Sequence, residues 1–152
     1  MVGIVLVAHG KIADAFLDAA RQILGGAEAV AAVSVRAPAA EKRVLEEIER
    51  ARKEVDRGRG VLIVTDMFGG SPCNISLSLL GDRQVEVLTG LNLGMLLKIL
   101  ANRDKVPLAE LAQIGRECGV EHIWVGSAIL EKGMPGGSNG GRAFSGKTER
   151  TK

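Results

Sequence analysis

Aromatic residues are nearly absent from this chain. It has no tyrosine, one tryptophan and three phenylalanines in 152 residues. A core built from it must be aliphatic, filled by Ala, Val, Ile and Leu. A surface that stacks bases on aromatic rings has no material to form from. Net charge is scarce as well, at +2. Residues 133–152 carry Arg142, Lys147, Arg150 and Lys152 against Glu149, so they hold +3 and leave the remainder at −1. A near-neutral body lacks the basic face that nucleic acid requires. There are two cysteines, Cys73 and Cys118. Their separation matches no zinc ribbon or redox pair. No run of 18 apolar residues is present. The opening MVGIVLVAHG has no basic stretch before its short apolar run, so it reads as a strand and not a signal peptide. The expected compartment is the cytoplasm, with thiols reduced.

What the chain does have is alternation. Val2–Ala8 is a Val- and Ile-rich run of the kind buried on both faces of a parallel sheet. Ile12–Leu24 has helical periodicity and ends at Gly25-Gly26. Ala29–Val35 reads as a second strand. A long amphipathic helix follows, from near Pro38 to about Arg57, with Val44, Ile48, Ala51 and Val55 on its apolar stripe and i,i+4 charge pairs opposite. Gly60–Thr65 is a third buried strand. Ser71 reads as the N-cap of a helix to about Leu80, with Pro72 first inside it. Gln84–Leu88 is a fourth strand, then come helices Leu93–Asn102 and Leu108–Cys118, and Glu121–Gly126 reads as a final, irregular strand. The fold class is therefore α/β: three layers, a mainly parallel doubly wound sheet with helices on both faces, and a C-terminal strand that is antiparallel or exchanged. Residues 1–130 form one domain, and 131–152 read as a disordered Gly/Ser-rich basic tail.

In such a sheet, ligands bind beyond the carboxyl ends of the strands, at the switch in strand order. Three segments qualify: Ala8-His9-Gly10, Thr65–Pro72 and Thr89–Asn92. With strands one and three adjacent, His9 and Asp66 lie side by side. A carboxylate on one imidazole nitrogen leaves the other as a directed nucleophile. Gly69-Gly70-Ser71-Pro72 lets backbone approach an anion at a helix start. A nucleophilic imidazole, an orienting acid and an anion cradle, with no metal, together point to phosphoryl transfer. Cys73, at a helix start, reads as a small buried side chain in preference to an activated thiol. Cys118 and His122 have i,i+4 spacing, but Gly119 and an expected helix-to-strand break between them argue against a metal pair.

These residues resemble a known family. VLVAHGKIADAF (5–16), VLIVTDMFGGSPCNIS (61–76) and VEVLTGLNLGML (85–96) are similar to the mannose-family enzyme IIA domain of the phosphoenolpyruvate-dependent sugar phosphotransferase system, over about residues 1–125. The resemblance implies that His9 is phosphorylated on Nε2, that Asp66 holds the other ring nitrogen, and that Ser71 lies at the phosphate site; Gly10, Gly69 and Gly70 are read with it as phosphate-binding backbone. It implies no cofactor. It implies phospho-HPr as donor, a histidine of an enzyme IIB as acceptor, and association with a membrane sugar permease only through that partner. It also implies a homodimer that exchanges a C-terminal strand. Residues 133–152 have no counterpart in the family's core, Gly94 stands where some relatives carry Pro, and Cys73 where many carry Phe. A regulatory protein that signals through the same phosphohistidine is the alternative.

Overall fold

The computed structural model describes residues 1–36 and 40–132. Expectations about Pro38 and about the tail from Gly133 fall outside them. The chain divides into two compact units, Met1–His122 and the residues from Ile123 onward.

The first unit is a four-stranded parallel sheet of order β2-β1-β3-β4. Its strands are β1 (Gly3–His9), β2 (Val30–Val35), β3 (Val61–Thr65) and β4 (Val85–Thr89). The helices between and after them are α1 (Ile12–Leu24), α2 (Glu41–Val55), α3 (Ser71–Leu77), α4 (Leu93–Asn102) and α5 (Leu108–Glu121). Side-chain alternation sends successive residues of a strand to opposite faces, so each central strand feeds two cores. Ile4, Leu6 and Ala8 enter one layer with Ala13, Leu17 and Ala20 of α1, Met95 and Ile99 of α4 and Leu111 of α5. Val5 and Val7 enter the other with Val44, Ile48 and Val55 of α2 and Ile75 of α3. Strands β1 and β3 are buried on both faces, which is why they read as continuous apolar runs. The doubly wound α/β architecture is as expected.

Two local expectations are corrected. The cap of α3 is Gly70 in extended conformation with no side-chain cap bond, and Ser71 is the first helical residue. More important, Glu121–Gly126 is not a strand. Helix α5 runs on to Glu121, residues 123–125 are irregular, and Gly126–Lys132 forms helix α6. Gly119 had read as a helix stop, yet it lies inside α5. A Cβ there would meet Met95 Cε at 2.5 Å, so glycine lets α5 seat on α4 without displacing that side-chain tip, and the Asn92 amide also donates to its carbonyl at 3.1 Å. Those contacts outweigh the ~1 kcal/mol helix penalty of glycine. Ile123, Trp124 and Val125 keep the composition of a strand but have no ladder to join among the described residues, and all three are exposed.

Gly3 marks where α2 and β1 touch most closely. A Cβ at Gly3 would lie 2.6 Å from the carbonyl oxygen of Val55, the last residue of α2. Backbone cannot move aside as a side-chain tip can, so Gly3→Ala is expected to cost about 1–3 kcal/mol by overpacking. Thermal unfolding followed by circular dichroism should show a melting temperature several degrees lower; an unchanged one would place α2 elsewhere.

Candidate active site

His9 ends β1 and Asp66 follows β3 directly. The register pairs Val7 with Thr65, so the two chains leave the sheet as neighbours although 57 residues separate them in sequence. One carboxylate oxygen of Asp66, Oδ2, accepts from the backbone N–H of His9 at 2.9 Å and lies 2.8 Å from His9 Nδ1. The other, Oδ1, accepts from Met67 N–H at 2.9 Å. The Asp66 side chain is 12% exposed and that of His9 44%. Burial on its own would raise the Asp66 pKa. The bonds from the His9 backbone and ring, the imidazole charge and the Met67 N–H together outweigh burial and hold it below the ordinary carboxylate value. Asp66 is therefore ionised at neutral pH and has no proton to donate. Nδ1 must supply the hydrogen in their shared bond, and in the neutral ring the lone pair falls on Nε2.

The loop Asp66–Gly70 bends over that ring. A Cβ at Gly70 would lie 2.8 Å from His9 Cε1 and 3.4 Å from Nε2, so position 70 presents bare backbone beside the nucleophilic edge. Gly69 has φ +81°, a left-handed conformation that an L side chain resists. Asn74 closes the first turn of α3, its N–H donating to Gly70 O at 2.9 Å. The N–H groups of Ser71 and Cys73 precede that first bond, and Ser71 is exposed at the helix start. Gly10 also has positive φ, +56°, and its N–H donates to Val35 O, which turns the chain away after His9.

The third expected segment has a supporting part. Gly90 and Leu91 N–H both donate to Thr65 O at 3.0 Å, tying the end of β4 to the residue before Asp66. Asn92 does not reach His9; its Oδ1 caps α4 through Met95 N–H at 2.9 Å. Sequence reasoning missed the rim. Met67 and Phe68 are 55% and 74% exposed beside the site, with Ile12 also exposed. Two consecutive large apolar residues in a glycine-rich loop were the available signal.

Residues 3–114 match the family model described as the PTS system fructose IIA component. That span holds every site residue and is most of the chain. The chain belongs to this family. It is 31% identical over 124 residues to the PTS system mannose-specific EIIAB component of Escherichia coli K12, covering 80% of this chain and 38% of that protein. It thus spans well under half the length of that relative. The PTS system fructose-specific EIIA component of Bacillus subtilis 168 is 26% identical over 133 residues, covering 87% of this chain and 91% of that one. Among solved structures, the phosphotransferase system component EIIA of Streptococcus agalactiae superposes with TM-score 0.77 at 28% identity, covering 84% of this chain and 99% of that one.

The cysteines of this EIIA-family chain lie apart from the His9–Asp66 pair. Cys73 is fully buried. Cys118 Sγ does come within 3.5 Å of His122 Nδ1, because α5 continues through Gly119 and keeps the i,i+4 pair on one face. That nitrogen is also 2.8 Å from the Cys118 carbonyl. A carbonyl only accepts, so Nδ1 is the donor and the imidazole closes the helix end. Among the described residues no helix is long and apolar enough to cross a membrane.

The depressed Asp66 pKa carries a pH signature. A carboxyl group more acidic in the folded chain stabilises it above the unfolded pKa, and this contribution is lost as pH falls through the folded value. Denaturation midpoints of the wild type should therefore drop on acidification below about pH 4, and drop less in Asp66→Asn. Parallel acid profiles for the two proteins would count against the pairing.

Proposed function

We propose that this chain is a cytoplasmic phosphoryl carrier of the sugar phosphotransferase system, loaded on His9 by phospho-HPr and unloaded to a histidine of an enzyme IIB. The observation that carries this reading is the 2.8 Å contact between His9 Nδ1 and an ionised Asp66, with bare backbone at Gly70 beside Nε2. In the loading step the Nε2 lone pair attacks the phosphorus of the donor phosphohistidine. The N–P bond to the donor breaks as the new one forms, and the donor imidazole leaves with its electron pair. His9 becomes cationic while Nδ1 keeps its proton, and Asp66 offsets the charge across the shared hydrogen bond. Unloading is the same displacement with an acceptor imidazole as nucleophile.

Gly10, Gly69, Gly70 and Ser71 are the proposed phosphate contacts. The backbone N–H groups of Gly69, Gly70 and Ser71 and the Ser71 hydroxyl replace water around the transferring oxygens, while Gly10, whose N–H is held by Val35 O, contributes only its bare Cα. Ile12, Met67 and Phe68 are the proposed docking rim for both partners. An in-line transfer between two imidazoles requires close approach of two proteins, and exposed apolar side chains around the nucleophile favour it. The sugar is met only by proteins further along the chain of transfer.

Incubation with phosphoenolpyruvate, enzyme I and HPr should add one phosphate by intact mass, stable in base and lost in acid. His9→Gln should add none; a phosphorylated His9→Gln protein would refute the assignment. Asp66→Asn should fold but transfer on the order of a hundredfold more slowly, since an amide can donate to Nδ1 and so move the proton to Nε2. Phe68→Ala should raise KM for phospho-HPr with kcat nearly unchanged, and a pure kcat loss would remove it from the docking rim.

A further inference from the structure

The end of α5 carries three side chains for which phosphoryl transfer has no use. Cys118, Glu121 and His122 stand at i, i+3 and i+4, so the helix presents them on one face. Gly119 does not interrupt the set, because α5 continues through it. All three line a groove of about 620 Å3 between α4 and α5. Its remaining charged lining residues are Glu117 and Lys98, so acids outnumber bases there and the groove favours a cation.

Cys118 Sγ lies 3.5 Å from His122 Nδ1. That separation is the one a zinc ion asks for. Zinc holds a thiolate sulfur at about 2.3 Å and an imidazole nitrogen at about 2.1 Å, and at a tetrahedral angle the two ligand atoms stand about 3.6 Å apart. The pair therefore already forms one edge of a zinc tetrahedron. Thiolate and imidazole are also the donors that select zinc over magnesium or calcium. The Gly94 carbonyl accepts from the Cys118 thiol at 3.5 Å, which holds the sulfur against the first turn of α4. Among the described residues no third acid, thiol or imidazole already stands at metal distance. Glu121 can supply it by a change of rotamer, which an exposed side chain makes freely.

We propose that Cys118, Glu121 and His122 form a binding site for Zn2+, with water as the fourth ligand. Without metal, Nδ1 keeps its proton on the Cys118 carbonyl at 2.8 Å and closes the helix end. With metal, the exposed ring turns from that carbonyl toward Sγ. Nδ1 gives up its proton while Nε2 takes one up, so the imidazole stays neutral. The thiol loses its proton to solvent. Sulfur, Nδ1 and one Glu121 oxygen each donate an electron pair to the ion and displace its waters. One proton is released for each ion bound. The ion exchanges one hydrogen bond within the helix for three bonds to its last turn, and so clips the end of α5. Because the three ligands come together only in the helical chain, binding stabilises the fold by mass action.

Cobalt(II) is the probe, since it enters zinc sites and reports its ligands by colour. Titration of the reduced full chain should show one equivalent bound with micromolar affinity. The spectrum should carry a thiolate-to-cobalt charge-transfer band and the intense visible bands of a tetrahedral ion, and added Zn2+ should discharge both. Cys118→Ala should lose the charge-transfer band. His122→Gln and Glu121→Gln change exposed residues and should fold normally, and each should weaken cobalt binding on the order of tenfold. Zn2+ should raise the melting temperature of the wild type by several degrees and that of His122→Gln by less. A wild type that gives only the pale spectrum of octahedral cobalt overturns the proposal. So does a charge-transfer band that survives Cys118→Ala, which puts the metal on Cys73, and so does an unchanged cobalt affinity in His122→Gln.

Discussion

The hydrogen bond between the Asp66 carboxylate and the His9 ring is the contact on which the rest of the site depends. Without an acceptor at Nδ1, the imidazole could place its proton on either nitrogen and turn about its own axis. With it, the ring is held from both its backbone N–H and its side chain by a single oxygen, Oδ2. Asp66 itself is held in turn by the N–H of Met67 and sits mostly out of solvent, where an ion–dipole contact is stronger than in water. The demand this makes is on register. A slip of one residue between β1 and β3 would turn Asp66 or His9 to the opposite face of the sheet.

The two ends of the sheet divide the work. At the amino end, polar groups are spent on holding the strands in place. Arg103 is buried and bonds the Glu28 carbonyl, and its own carbonyl accepts from Val2 N–H at 3.0 Å. Burial lowers the pKa of that guanidinium, though not enough to discharge a group so basic. Arg59 spans the Asp104 and Val106 carbonyls, and Arg52 links α2 to Asp82 ahead of β4. Gly60, at φ +80°, lies where a Cβ would meet Gln84 O at 2.8 Å, so β3 and the approach to β4 are in close contact there. At the carboxyl end, loops are short and glycine-bearing, and side chains face outward. Rigidity at one end is what permits a partly exposed imidazole at the other.

The exposed Ile123, Trp124 and Val125 belong to the second unit, beyond the span that matches the family model.

Much of this protein was determined locally and could be read without coordinates. The buried strands β1 and β3 show as unbroken aliphatic runs because both of their faces are covered, and α1 and α4 begin and end where periodicity and glycines place them. His9, Asp66 and the Gly69-Gly70-Ser71 turn were legible because strand ends in a parallel sheet are where chemistry collects. What the sequence left open are matters of contact between distant segments. Whether Gly119 ends a helix is decided by Met95 and Asn92 across the α4–α5 interface, and glycine has no side chain with which to announce that. Whether His-Ile-Trp-Val becomes a strand depends on a neighbour offering hydrogen bonds, which composition cannot supply. The distance from Asp66 to Nδ1 and the backbone of Gly70 against Nε2 exist only once the sheet is ordered. Strand order is a long-range property, set by how two aliphatic layers close on either side of the sheet.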